Sequence, residues 1–535
     1  MQATRRESGG GRMSRRTAGR AALGAGGLLA ASAPPLAAQS GGAVDELKII
    51  TFELFTSLDP ADDYSPEYLR SVGLGETLLR ITPQGDVVPD VARAFEWQDP
   101  LTLRVDLRPE VTFWSGAPLT AGAVRDGMER LRRLVPFAAS QLRGVRIEPE
   151  GDGTLYFRTD APAPGLPLSL ASEYIYLHNA GAYPADARAT AADWRTADLT
   201  GYFKVTAFEP KVGAALARNE RYWGVRPRMA RIGITEVHDI NTRTLAALSG
   251  EAHIVRWVSP QSAAQVERGR EMRIEAPPLQ SSTNAYLNTQ KSPFEDVRVR
   301  QALAWATDRE ELVQLAMNGY GTPNPSWLAI NPLYPEAKRT GYVRQDLARA
   351  AQLLDEAGWR LPAGAPAGRG VRSNGPSRLR FRVFWWGSGK PLAEVLQAQW
   401  AKAGAEVEVQ GSGDYGFIEQ QRKSGDWDVF VESWGVFGDP ANELGRAVAP
   451  DGDINYTRFR DPQLESLLAG FTGLSDPEER RQQALRLNER QTEVVPFIPL
   501  AAVLRPWAIN RKVRNFEPHF QPWSYEVHPD LWVSA

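Results

Sequence analysis

Two periodicities, that of a half-buried strand and that of a capped helix, are interleaved along the whole chain, and this limits the folds open to it. Leu101-Thr102-Leu103-Arg104-Val105-Asp106-Leu107-Arg108 and Leu379-Arg380-Phe381-Arg382-Val383 alternate apolar and polar residues, as a strand with one buried face does. Between and after them stand helix starts. Thr120 can cap a helix whose stripe is Val124, Met128 and Leu131. Asp308-Arg309-Glu310-Glu311 reads as a capping box, and Asp476-Pro477-Glu478-Glu479 supplies a cap, a proline at the first helical position and a glutamate at the third. Leu347 to Ala357 reads as a further helix with Gly358 just past its end. Interleaving on this scale predicts an α/β or α+β protein. With 535 residues the chain is long enough for three or four domains or subdomains. It has no cysteine, so disulfides, thiolate zinc sites, iron–sulfur clusters and a cysteine nucleophile are all excluded.

The first forty residues follow different rules. They hold six arginines (Arg5, Arg6, Arg12, Arg15, Arg16, Arg20) against one acid, Glu7, and then the apolar run Ala21 to Ala33. That run is too short to span a bilayer, which takes about 20 residues. A basic region, a short apolar region and small residues beyond it read as a secretory signal over 1–40, with cleavage expected near Ala38. Ser14-Arg15-Arg16-Thr17-Ala18-Gly19-Arg20 resembles a twin-arginine signal, with general secretion the alternative route. The remainder carries 56 basic and 63 acidic residues, a net charge of −7, which is no footprint for nucleic acid.

Catalytic signatures are sparse. There is no His-Glu-x-x-His helix and no Gly-x-Ser-x-Gly elbow. Gly387-Ser388-Gly389-Lys390 is followed by Pro391, so it is not a phosphate-binding loop. The five histidines (His178, His238, His253, His519, His528) form no short-spaced cluster. Gly411-Ser412-Gly413-Asp414-Tyr415-Gly416 matches a dinucleotide fingerprint literally, with Glu432 at the distance of a ribose-binding acid, but its context favours a plain strand-to-helix turn. Trp385-Trp386-Gly387 and Trp434-Gly435, aromatic residues beside glycine, suggest a cleft lining. Paired acids at Asp62-Asp63 and Asp451-Gly452-Asp453 leave an exported hydrolase as the rival to a binding protein.

Several blocks, in order, resemble the extracytoplasmic solute-binding proteins of ABC importers, peptide/nickel family 5. They are Val88–Trp97 (VPDVARAFEW), Val111–Ala121 (VTFWSGAPLTA), Arg218–Gly224 (RNERYWG), Asp239–Arg243, Pro293–Leu303, Gly438-Asp439-Pro440 and Pro496–Leu500. The resemblance implies a two-lobed periplasmic-binding-protein fold of the α/β class, with hinge-linked lobes and an extra subdomain. Lobe one would take 41–278 plus 500–535, with an inserted subdomain at 85–197, and lobe two 279–499. It implies a monomeric periplasmic protein, not an enzyme, that captures a peptide or other small organic solute and delivers it to membrane permease subunits, without a cofactor.

Departures from the family pattern bear on the ligand. Peptide binders of the family hold the ligand's α-amino group with an aspartate in the loop after a tryptophan. Here that loop reads Trp434-Gly435-Val436-Phe437-Gly438-Asp439-Pro440, shorter and without that carboxylate, which is closer to the nickel-binding branch. That branch has a ligand histidine nearby, and no histidine stands between His253 and His519. Its cleft arginines are replaced by Phe137 and Tyr174. The resemblance therefore implies an aromatic, weakly charged cleft lined by Trp434, Phe437, Tyr64, Tyr174, Phe137, Asp453 and Asn455, with no metal ligand. A peptide-like or organic solute fits it, and a nickel or metal-chelate ligand is the alternative.

Overall fold

A computed structural model describes residues 45–535 except 63–64, 83–85, 277, 332, 366–369, 387–388, 413–414, 436–439, 453, 475 and 517–526. At 65–67, 191–192, 278–280, 415, 434–435, 440–442 and 472 it describes the backbone alone. The expected export signal, 1–40, therefore lies outside the described residues.

Three sheets organise the chain. The first has seven strands in the order Met272–Glu275, Trp507–Asn510, Ile254–Val255, Glu46–Thr51, Arg231–Glu236, Gly213–Arg218 and Phe203–Glu209. Its centre is parallel: Glu46–Thr51 pairs in parallel with both Arg231–Glu236 and Ile254–Val255. The second has six strands in the order Gly321–Pro323, Phe497–Leu504, Pro278–Leu287, Val429–Gly435, Arg380–Trp386 and Glu406–Ser412, of which the last three run parallel. Each of these two sheets has its own cores, and together they make a two-lobed α/β fold. The third sheet, Ala92–Asp99, Thr102–Leu107, Thr154–Thr159 and Val145–Glu150, is antiparallel with a separate core, and lies in sequence between strands of the first.

Local sequence accounts for many of these elements. In Thr102–Leu107, Leu103, Val105 and Leu107 are buried while Arg104 and Asp106 are not. Thr120 Oγ1 accepts the Ala123 amide at 3.2 Å to open the helix Ala121–Leu134, which buries Val124, Met128 and Leu131. Asp476 accepts from the amides of Glu478 and Glu479 at the head of Pro477–Val494. Gly358 sits at φ +85° just past Leu347–Glu356, where a side chain would be strained. The Asp308 box is only half formed. Asp308 takes the Glu311 amide at 2.9 Å, but Glu311 turns to Gln399 at 2.8 Å because the helix Lys390–Lys402 packs beside it.

Two features were not legible in the sequence. Phe497–Leu504 pairs with Pro278–Leu287 and Gly321–Pro323, so residues 500–504 are part of the second sheet. The chain passes back to the first sheet between Leu504 and Trp507. Arg130 forms a two-pronged ion pair with Asp59, at 2.8 and 2.7 Å, with both side chains essentially inaccessible. It ties the helix packed on the third sheet to the loop that follows the first strand of the first sheet. Removing one partner of such a pair costs about 3–5 kcal/mol, because the other charge stays buried.

Candidate functional site

In open sheets with parallel strands, ligands bind outside the carboxyl ends of those strands, where loops diverge and backbone groups are unspent. In the first sheet those ends are Thr51, Glu236 and Val255, and residues just beyond them form a compact cluster. Phe52 stacks on Trp257 with centroids 4.1 Å apart and planes 21° from parallel. The Arg505 guanidinium, from the return crossing, lies 3.7 Å from the Trp257 ring. Arg256 is buried within 5.3–6.0 Å of the rings of Phe52, Tyr68, Trp257 and Trp507. Tyr68 donates to Glu53 at 2.9 Å. Trp257 takes φ +54°, a conformation that costs a bulky residue on the order of 1–3 kcal/mol and persists only where its surroundings enforce it. Arg243 enforces it: its guanidinium donates to the carbonyls of Val237, His238, Arg256 and Trp257 at 2.7–3.3 Å. Burial draws its pKa down to about 10, so it stays charged.

The second sheet ends its parallel strands at Trp386, Ser412 and Gly435. The sequence there is glycine and aromatic, and one glycine has a clear reason. A Cβ on Gly411 would stand 2.2 Å from the Trp385 carbonyl oxygen and 2.6 Å from its ring. The literal dinucleotide motif thus spans the end of the strand Glu406–Ser412 and the start of the helix Tyr415–Ser424.

Behind these ends lies a polar network. Glu432 is buried, pairs with Arg422 at 2.9 Å and accepts from the Trp386 indole. Burial outweighs the guanidinium and lifts the Glu432 carboxyl to about 7. Arg422 lies 4.2 Å from the Tyr456 ring, which meets Tyr286 edge-on at 6.1 Å. The Asn284 amide donates to the Tyr286 hydroxyl at 3.3 Å, and Thr283 and Ser433 share a hydroxyl contact of 2.7 Å.

Of the residues expected in the cleft, Phe137 and Tyr174 come together, with rings 4.5 Å apart on the elements packed against the third sheet. The guanidinium of Arg446, on the second lobe's helix Pro440–Val448, lies 5.9 Å from Phe137. An arginine of the second lobe thus stands beside that pair. Trp434 is the penultimate residue of its strand, paired with Ser282; its side chain lies outside the described residues. Phe437, Tyr64 and Asp453 also lie outside them. Asn455 has a structural task. Its amide donates to the Ala449 and Phe459 carbonyls, and its oxygen accepts from the Phe459 amide and the Thr457 hydroxyl.

Sequence reading missed Phe52, Trp257, Arg505 and Arg446. Only Phe52 and Trp257 left a signal, each standing two positions past a short apolar run, Ile49-Ile50 and Ile254-Val255. Among the described residues no group of three or more histidines, aspartates and glutamates could hold a metal ion. His178 is buried beside the Tyr176 carbonyl, and burial lowers its pKa to about 4.

Residues 86–454 match the model of the bacterial extracellular solute-binding proteins, family 5 middle region. The chain is 22% identical over 461 residues to the nickel-binding protein NikA of Staphylococcus aureus, covering 85% of this chain and 88% of that one. It is 26% identical over 455 residues to a probable di/tripeptide-binding protein of Pseudomonas aeruginosa, covering 77% and 82%. The structure of NikA from Brucella suis in complex with Fe(III)-EDTA superposes with a TM-score of 0.82 at 21% identity, over 91% of this chain and all of that one. With the strand-end geometry of both lobes and a family model that spans most of the described residues, the chain belongs to the family 5 bacterial extracellular solute-binding proteins, the solute-capturing components of ABC importers.

Proposed function

We propose that this solute-binding protein captures a short peptide or peptide-like organic solute between the strand-end loops of its lobes and delivers it to permease subunits. The observation that carries this reading is an aromatic wall at the strand ends of each lobe. One is the Phe52–Trp257–Arg505 stack of the first lobe; the other is the glycine and aromatic strand ends of the second, at Trp386 and Trp434. Flat rings give a large contact area at small entropic cost, which suits a solute read mainly by shape. Phe137 and Tyr174 extend the lining, and Phe437, Tyr64 and Asp453 complete it in this reading.

A second reading, a nickel or other metal chelate, is favoured by the similarity to nickel-binding relatives and by Arg446 beside Phe137, which a chelate's carboxylates could meet. Native mass spectrometry of the purified protein, followed by calorimetry with tripeptides and with nickel–histidine, separates them. Micromolar tripeptide binding, roughly −8 kcal/mol, supports the first reading. Nickel–histidine binding with indifference to peptides overturns it in favour of the second.

Export by the twin-arginine route belongs to the same proposal. Arg15→Lys with Arg16→Lys should block precursor processing, and unchanged processing would remove the twin-arginine claim while leaving secretion in place.

A further inference from the structure

A cavity of about 480 Å³ lies within the first lobe, lined by residues of that lobe alone. Two blocks that read as scaffold in the sequence meet there: Asp90 from one, and Tyr222 and Trp223 from the other. Its polar groups are unevenly satisfied. The Glu76 carboxyl accepts from the Tyr222 hydroxyl at 2.6 Å and the Trp223 indole at 3.4 Å. Asp90 pairs with Arg70 at 3.5 Å, and Arg70 also donates to Thr77 at 2.6 Å. The guanidiniums on the other side are less engaged. Arg108 donates through Nε to the Asp90 carbonyl at 3.0 Å and lies 5.3 Å from the Trp223 ring, and its terminal nitrogens make no hydrogen bond among the described residues. Arg80 makes neither a hydrogen bond nor an ion pair among them, and bears on Asp90 only through its field.

We propose that this cavity is a second binding site, for a small organic anion bearing carboxylate or phosphate groups, held by Arg80 and Arg108 against the Trp223 wall. The lining sets three arginines, Arg70, Arg80 and Arg108, against two aspartates, Asp90 and Asp530, with His528 beside them, so the arginines are in excess by one. Glu76 does not restore the balance, because burial and the neighbouring Asp90 lift its pKa to about 8 and keep it protonated near neutral pH. Glu173, which feels the charge of Arg70, is lifted to about 7 by burial. A cavity of this size is within the usual range for small-molecule sites. Forked guanidinium donors suit the planar carboxylate and the phosphate equally, so the two sources have to be told apart by experiment.

The test uses the full mature chain and two probes, citrate and inorganic phosphate, titrated by calorimetry at constant ionic strength made up with chloride. Wild type should bind at least one of them with a Kd of about 1 mM or tighter. Arg80→Gln removes a side chain without hydrogen-bond partners, so it should fold as wild type does and weaken binding at least about tenfold. Arg108→Gln, measured in parallel with its melting temperature, should weaken it as well. Preference for citrate assigns carboxylate chemistry, and preference for phosphate assigns the phosphate source. If wild type binds neither probe, or if both variants bind as tightly as wild type, the proposal is overturned.

Discussion

The two strand-end walls are built by opposite means. In the first lobe, a fully charged arginine, Arg243, spends its donors on the carbonyls of two successive loops and holds Trp257 in a left-handed conformation under Phe52 and Arg505. In the second lobe, the corresponding strands run into glycine-bearing sequence, and the group behind their ends is a carboxyl at about 7 sharing a buried site with Arg422 and Trp386. The comparison teaches that one wall is set by backbone geometry and the other by protonation. The first should present the same surface at any moderate pH, while the second should change its charge within the physiological range.

The largest expected effect breaks the first wall. Arg243→Ala strands several buried carbonyls at once, each costing about 1–3 kcal/mol, so urea unfolding should show a loss of roughly 3 kcal/mol or more. A loss below about 1 kcal/mol would mean that the loops of the first lobe hold themselves, and the contrast between the walls would fail.

The next sharpens the second wall through pH. Because the folded-state pKa of Glu432 is raised above its usual 4.5, the folded protein binds the extra proton between about pH 4.5 and 7. Its contribution therefore favours folding at low pH and fades as pH rises through about 7. Between pH 5 and 8 the slope attributable to this residue amounts to a few kcal/mol at most, on the order of 2. Glu432→Gln keeps an acceptor for Arg422 and Trp386 but cannot titrate, so the difference in unfolding free energy between variant and wild type should shift in the variant's favour as pH rises. Parallel pH profiles for the two proteins would show that Glu432 does not titrate in that window.

The smallest effect concerns the ligand, and asks which wall supplies the binding energy. Truncation of a central aromatic anchor costs about 2 kcal/mol, so Trp434→Ala should weaken binding of the co-purified solute roughly thirtyfold with little change in melting temperature. Loss of melting temperature with unchanged affinity would instead place Trp434 in the lobe-two core. Trp257→Ala, run alongside, should lower both quantities, since the ring is half of a stack that shapes the loop.

Much of the scaffold was legible in the sequence because its signals are local. Caps at Thr120, Asp308 and Asp476 act within three residues, and the alternation over Leu101–Arg108 reports a buried face directly. The reading of Trp385-Trp386-Gly387 and Trp434-Gly435 as special rested on the same kind of signal, and both stretches stand at carboxyl ends of parallel strands. Asn455 closes its own turn, a task its sequence does not announce, because an asparagine in a loop after a helix has the same local signature whatever it bonds to.

Sequence alone therefore determined the class, the order of strands and helices, the lack of thiol chemistry and the membership suggested by its ordered blocks. Only the tertiary structure decided which distant residues share a site. Arg130 and Asp59 are 71 positions apart, Arg505 and Trp257 almost 250, and Arg446 and Phe137 more than 300. The physical reason is that hydrogen bonds along a helix or strand are set by neighbours in the chain. Burial, which lifts Glu432 and Glu76 out of the ordinary carboxylate range and makes Arg243 a scaffold, depends on what other segments bring against them.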